Sequence, residues 1–359
     1  MTRLRVHELE DKPIRPAEVD ERAVVTVLRV PPECAGMRLD RFVQSQLKRT
    51  SRTRAQVIIK RGAYSPDARL LRPSDRVRAE QRILLWRAPW DEEVIESSLP
   101  VLFEDDALLA IDKPPGVPVH PTARYYRSTV VKMLEAERPG ERHFLAHRID
   151  RETSGVLLLS KVADADRHVK KQFAGIDPRT DRAASRRMVD KTYLAIVHGW
   201  PDANRFVVDR PLEEDDTSRL RVKMRCAPEG RGLVATTRCS VRARRIRPST
   251  GARYALVACE LETGRQHQIR VHMASTGHAL VGDKLYGPDE NLHARGADGE
   301  LTDEDHAMLE IPRHALHAHE LELDHPSSGT RLKIVSPLPS DLAAFWDELD
   351  EAAPATTGS

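Results

Sequence analysis

Near the N-terminus, Leu39, Phe42, Val43 and Leu47 recur at helical spacing, after a strand-like run, Val24–Leu28, that closes a lead-in over residues 1–30. A second helix is predicted from Ser51, a good N-cap, burying Val57, Ile58 and Ile59 and stopping at Gly62. Short strands are predicted to follow, to about Leu85. Residues 88–99, with Pro89 and the acids Asp91, Glu92 and Glu93, read as a linker. Beyond it, apolar runs alternate with turns. Val101–Phe103 and Leu108–Ile111 lead to the turn Lys113-Pro114-Pro115-Gly116, and Val156–Leu159 reads as a buried strand. Met188–Val197 alternates as a strand, and further strands are predicted at 205–210, 234–247 and 254–263. Helices are predicted from Ser128 through Val130, Val131 and Leu134, over Ala163–Phe173, and over Thr263–Met273 with its stop at Gly277. Residues 288–311, charged and glycine-containing, read as a surface insertion. One more strand pair and a closing helix complete a domain over 100–345, ahead of an acidic, disordered tail over 346–359. Strands outnumber helices, so the expected class is α+β, with a largely antiparallel mixed sheet flanked by helices and loops. A small α+β domain over 31–87 precedes it.

Composition adds limits. Charged residues make up 31% and apolar ones 40%, as in globular proteins, and no apolar run approaches the roughly 20 residues of a membrane helix. The polar first thirty residues contain no secretory signal. Cys34, Cys226, Cys239 and Cys259 lie far apart without C-x-x-C spacing, which suggests neither a zinc site nor a disulfide framework. A reducing cytoplasm is the expected compartment, and a monomer the expected state.

The net charge of +2 argues little, but its distribution argues more. Residues 38–87 hold fourteen Lys/Arg against four Asp/Glu, and residues 167–191 hold eight against three. Of the 57 basic residues, 45 are Arg, whose forked donors suit phosphate and base stacking. Clustered positive charge points to a polyanion, most naturally nucleic acid.

The candidate chemistry lies in His147-Arg148-Ile149-Asp150-Arg151-Glu152-Thr153-Ser154-Gly155. Asp150 sits on the loop entering the 156–159 strand, and the flanking guanidinium groups of Arg148 and Arg151 favour its charged form. A surface salt-bridge cluster is the plain alternative for such an Asp-Arg pair. Histidines at 267 and 272, and at 314, 317 and 319, invite a metal. Their spacing lacks a matching carboxylate or cysteine set, so no metal site is expected.

Three segments occur together: H-R-I-D-R-E-T-S-G, K-T-Y-L-A-I-V-H-G and T-G-R-Q-H-Q-I-R-V-H-M. K-P-P-G, G-D-K-L-Y-G, R-H-A-L-H-A and a late P-L-P accompany them. Over roughly 95–345 the chain resembles the pseudouridine synthases of the ribosomal large-subunit (Rlu) type. Gln266 stands where that family often has a small hydroxyl residue. R-L-D-R-F-V followed by S-R-T-R-A-Q-V-I-I-K-R-G resembles the small S-four-type RNA-binding domain, although Ala63-Tyr64-Ser65 replaces its usual V-N-G turn.

The resemblance implies isomerisation of uridine to its C-glycoside in RNA, ribosomal RNA ahead of transfer RNA. It makes Asp150 the catalytic carboxylate, Tyr193 the ring stacked on the uracil and Arg270 the partner of Asp150. Arg148, Arg151 and Arg265 would contact phosphate or support the site. Arg52, Arg54, Lys60 and Arg61 would lie along RNA. The reaction moves no electrons and carries no group, so no cofactor is implied. Whether the carboxylate attacks the anomeric carbon or removes a sugar proton stays open. The alternative is an RNA-binding or ribosome-assembly factor without chemistry.

Overall fold

In the computed structural model, residues 3–4, 13–21, 23–47, 52–87, 95, 97–122, 125–184, 187–218, 220 and 222–352 are described. The chain divides into two units at Glu92/Glu93, within the stretch expected to be linker; residues 88–94 and 96 of that stretch lie outside the described residues.

The first unit contains β1 (Arg3–Leu4), β2 (Val24–Arg29), α1 (Leu39–Gln46), α2 (Arg52–Gly62), β3 (Ala63–Tyr64) and β4 (Arg82–Arg87). Leu39, Phe42 and Val43 of α1 pack with Ala55 and Ile59 of α2 against Leu28, Ile83 and Leu85 of the sheet. Ser51, the expected cap of α2, lies outside the described residues. Three consecutive apolar residues cannot all face one core at 3.6 residues per turn. Ala55 and Ile59, one turn apart, are fully buried, whereas Val57 is exposed and Ile58 lies at the margin. Gly62, the last residue of α2, is not a left-handed cap; the position needs glycine because a Cβ there would stand 1.9 Å from the Trp86 carbonyl oxygen.

The strands run in the order β1-β2-β4-β3, and β2 pairs with β4 from Val24 opposite Arg87 to Arg29 opposite Arg82. The strand expected in a lead-in is therefore an interior member of this sheet, and the boundary expected at 30/31 moves back to include it.

The second unit begins with β5 (Val101–Glu104), β6 (Leu108–Lys113), α3 (Val130–Glu137), β7 (Phe144–Leu145), β8 (Ser154–Ser160) and α4 (Ala163–Phe173). It continues through β9 (Ile176–Asp177), β10 (Arg182–Ala183), β11 (Val189–His198), β12 (Arg205–Asp209), β13 (Leu212–Glu214) and β14 (Met224–Cys226). There follow β15 (Thr236–Ile246), β16 (Arg253–Leu261), α5 (Gln268–Ser275), α6 (Asn291–Asp298) and α7 (Asp303–Leu309). Last come β17 (Leu316–Asp324), β18 (Arg331–Val335), α8 (Ser340–Asp347) and β19 (Asp350–Glu351).

Eleven strands form one sheet along the path β12-β15-β16-β11-β17-β8-β6-β5, with β18 on β17, β19 on β15 and β7 on β8. The β17–β8 pairing is parallel, and the other pairings of this sheet are antiparallel. The continuous run Val156–Leu159 follows from burial on both faces. Val156 and Leu158 pack with Ala165 and Val169 of α4, while Leu157 and Leu159 pack with Val130 and Leu134 of α3. Ser128 does not cap α3. Thr129 occupies the N-cap, and the Ser128 hydroxyl accepts from the Ile95 amide at 3.4 Å.

Gly155 has φ +105°, and a Cβ on it would lie 2.2 Å from the Ala318 carbonyl oxygen. Only glycine lets β8 approach β17 this closely. That junction sets the loop before β8 against the middle of the sheet.

One further expectation is corrected. The tail does not start at 346: Phe345, Trp346 and Leu349 are buried against Tyr254, and Glu351 pairs with Arg245. Residues 353–359 lie outside the described residues. The 288–311 insertion folds into α6 and α7, burying Leu292 and Leu309, with a Thr302–Asp305 capping box and a two-bond Arg295–Asp305 ion pair. Among the described residues, no helix is long and apolar enough to cross a membrane.

Candidate active site

Residues 146–153 connect β7 to β8, and their backbone is tied down on two sides. Lys113 is fully buried, and its ammonium donates to the carbonyls of Pro114 (2.8 Å), Val117 (2.9 Å) and Arg151 (3.0 Å). The Gly116 amide donates to the same Arg151 carbonyl. The K-P-P-G turn is thus latched to the residue after Asp150. On the other side Glu152 accepts from Lys284 at 2.9 Å, and Arg313 donates to the Glu152 carbonyl at 3.1 Å. Burial raises the Glu152 carboxyl, but the adjacent cations outweigh it and hold the group well below its usual range. Thr153 bonds His314 at 2.8 Å.

Asp150 projects from this fixed loop with its side chain 32% exposed. Arg270, in the first turn of α5 and nearly buried, uses all of its fork. Its Nε and Nη2 donate to Asp283 at 2.7 and 2.8 Å, and its Nη1 donates to Asp150 Oδ2 at 3.1 Å. Asp283 is fully buried and also accepts from the amides of Leu285 and Tyr286. Burial penalises its charge, yet Arg270 and these donors keep the carboxyl far below the ordinary range. The Tyr286 ring lies 5.1 Å from the Arg270 guanidinium carbon. His267 caps α5 in a left-handed conformation, φ +56°, with Nε2 3.9 Å from Asp150 Oδ1 and Nδ1 2.8 Å from the Tyr286 hydroxyl. Burial pushes the His267 imidazole down to about 4, which leaves it neutral near pH 7. Asp150 therefore has one oxygen held by Arg270 and the other beside the neutral His267, at the edge of open space.

That space is a cleft of about 360 Å³ lined by Asp150, Tyr193, Arg270, Arg148, Arg265 and Lys191, among others. Tyr193 stands on β11 opposite Cys259 on one side and Ala318 on the other, where a bulge interrupts the β11–β17 register. Burial, with Asp150 nearby, pushes its phenol above the usual value, so it keeps its proton. His147 stacks on Phe173 with ring centres 5.1 Å apart and planes 14° apart, and its Nε2 accepts from the Leu158 amide at 3.0 Å. The cleft lining thus holds four cationic side chains and one carboxylate, which favours an anionic occupant.

A family described as RNA pseudouridylate synthase matches residues 107–275. Ribosomal large subunit pseudouridine synthase D of Zymomonas mobilis is 35% identical over 333 residues, covering 88% of this chain and 95% of that protein. The chain belongs to the RNA pseudouridine synthases. It is an isomerase that acts on RNA. The Nitrosomonas europaea protein of the same description is 34% identical over 326 residues, covering 89% and 86%. Among solved structures, human RNA pseudouridylate synthase domain containing 4 matches with a TM-score of 0.51 at 28% identity, covering 70% of this chain and 94% of that one.

In this pseudouridine synthase the residues singled out in the sequence divide into two groups. Asp150, Tyr193, Arg270, Arg148 and Arg265 share the cleft. The others do not. Arg151, expected beside Asp150, instead donates to the Tyr125 hydroxyl and to Glu152. Arg52 is drawn onto the buried Asp40 at 3.1–3.2 Å, together with Arg38 and Gln56, and so braces the first unit. Lys60 and Arg61 are exposed on the last turn of α2; the Arg54 side chain lies outside the described residues.

The histidines outside the cleft are ties: His272 to Thr237 and the Arg210 carbonyl, His317 to Ser154, and His319 to the Ser336 carbonyl. Among the described residues no cluster of three or more His, Cys, Asp or Glu could hold a metal ion. The sequence assigned no role at the site to Asp283 or Lys191, and weighed His267 only as a metal candidate. Lys191 was within reach, since residues two apart on a strand share a face and Tyr193 was already in view. Asp283 stood in the G-D-K-L-Y-G segment, but nothing local gave it a role, because its partner lies thirteen positions earlier on another element.

Proposed function

We propose that the chain isomerises specific uridines of large-subunit ribosomal RNA, with Asp150 as its catalytic carboxylate. One observation carries this reading. The Asp150 carboxylate is fixed through one oxygen by a buried guanidinium, and the residue lines a cation-rich cleft together with a tyrosine ring. The bond from C1′ to the ring nitrogen breaks, the base turns, and C1′ rejoins through a ring carbon, which loses its proton while the freed ring nitrogen gains one. The sugar passes through an oxocarbenium-like state. Attack at C1′ and removal of a neighbouring sugar proton both use the carboxylate oxygen not held by Arg270. The uridine must leave its stack, and Tyr193 supplies a ring face for the flipped base. Its protonated phenol serves as a hydrogen donor to the base.

The names of the relatives support ribosomal RNA over transfer RNA. The basic first unit, read as an S-four-type module, supplies electrostatic affinity for the RNA.

The test is to incubate full-length protein with transcribed large-subunit ribosomal RNA and map carbodiimide-resistant uridine adducts. Wild type should give defined products. Asp150→Asn should give none while binding survives. Loss of binding equal to the loss of rate would remove Asp150 from its role. Transfer RNA as the better substrate would overturn the choice of RNA.

A further inference from the structure

Lys191 is the one cation of the cleft lining with neither hydrogen bond nor ion pair among the described residues, apart from the exposed Arg148. Its neighbours explain its position without satisfying it. The ammonium lies 5.6 Å from the centre of the Phe173 ring, a cation–π contact, and Phe173 is in turn stacked on His147. It sits so close to Gly264 that a Cβ at that position would be 3.3 Å from Nζ. The next residue, Arg265, is anchored through Nε to the Val234 carbonyl at 3.0 Å, and the end of its guanidinium has no partner among the described residues. The nearby Arg187 repels Lys191, and burial lowers the amine to about 8. An ammonium mostly withdrawn from water, unpaired among the described residues and near the Arg187 guanidinium is unfavourable until an anion arrives.

We propose that Lys191 and Arg265, meeting across Gly264, form a phosphate clamp that takes one backbone phosphate of the RNA strand entering the cleft. The ligand is a phosphodiester of the substrate itself, so the inference rests on the function proposed above. Lys191 lines the same cleft as Tyr193 and Asp150, and the clamp therefore fixes a phosphate beside the flipped nucleotide. Its work is done in binding.

The experiment uses full-length protein and a short synthetic RNA carrying the mapped uridine, with one methylphosphonate placed at each linkage in turn. Lys191→Gln should raise KM about tenfold, the scale of one charge-assisted hydrogen bond, at unchanged kcat. It should also flatten the salt dependence of binding by about 0.7 in the log–log slope for a single strand. One methylphosphonate should weaken wild type by the same factor and leave Lys191→Gln unaffected. Lys191→Arg should restore affinity. Gly264→Ala, which keeps the lysine but crowds its amine, should raise KM in the same direction, so the clamp is tested even if Lys191→Gln does not fold.

An unchanged KM and salt slope in either variant would overturn the clamp. So would a loss confined to kcat, which would place the amine on the reacting base. Absence of pseudouridine from wild type on this RNA would instead sink the functional reading, separately from the clamp.

Discussion

Replacing Asp283 by asparagine, and comparing the result with Asp150→Asn, separates the two carboxylates that share Arg270. Asp283 is fully buried and accepts two guanidinium donors at 2.7 and 2.8 Å. Asparagine is nearly isosteric, but it turns one acceptor into a donor that faces Arg270 and leaves the guanidinium without its buried counter-charge. Breaking a buried pair from one side costs about 3–5 kcal/mol. Asp150 gives Arg270 one bond at 3.1 Å from a side chain 32% exposed. Its loss leaves the Asp283 fork intact, and partly solvated pairs contribute about 0–1 kcal/mol.

The expected result is a crossed pattern. Asp283→Asn lowers the urea midpoint of the second unit steeply, and lowers turnover through loss of Arg270 positioning. Asp150→Asn melts near wild type and forms no product. Urea titration followed by near-ultraviolet circular dichroism, with product mapping on the same preparations, measures both. Equal destabilisation by the two substitutions would refute the reasoning, because Asp150 would then be a structural partner of Arg270. Wild-type stability in Asp283→Asn would refute it from the other side.

Three further outcomes follow from the cleft. Tyr193→Leu should weaken RNA affinity by about tenfold or more, since a base stacked on an aromatic ring contributes roughly 1–3 kcal/mol, while Tyr193→Phe should retain affinity; equal loss in both would exclude stacking. Wild-type affinity should fall between pH 7 and 9, because the Lys191 amine, held at about 8, loses its charge there, whereas Lys191→Arg should be flat. His147 and His267, at about 3 and about 4, stay neutral throughout that window and do not contribute.

His147 also sets an acid limit on stability. Burial keeps its folded-state value at about 3, against about 6.5 in the unfolded chain, so below pH 6.5 the unfolded state takes up a proton that the folded state refuses. Stability should fall by about 1.4 kcal/mol per pH unit from this group as pH drops from 6.5 towards 3. His147→Gln, which keeps an acceptor for the Leu158 amide, should show a shallower acid slope in denaturation midpoints, and an unchanged slope would exclude the effect.

Most element positions were legible because local pattern and fold agree. Ala163–Phe173 forms a helix with the bounds that its spacing predicts, and β11, β12, β15 and β16 fall within two residues of the expected strands. Failures occurred where packing overrode local signal. The run 57–59 was expected to be buried throughout, but helical geometry turned Val57 outward. Residues 346–351, acidic enough to read as a tail, are held by the burial of Trp346 and the pairing of Glu351.

For the candidate site, the sequence by itself determined which chemical groups were present: a carboxylate between two arginines, a strand tyrosine, an arginine on a short helix, and an excess of positive charge. It also determined the glycine at 155 that admits the close strand approach, since that requirement is written in a single residue. Tertiary structure decided the pairing. Sequence adjacency suggested Arg148 and Arg151 as partners of Asp150, and only the family resemblance offered Arg270; the fold sends Arg151 to Tyr125 and Glu152, and brings Arg270, on the helix after β16 and 120 residues away, to Asp150. Electrostatic partnership depends on distance through space, and only the folded sheet sets that distance.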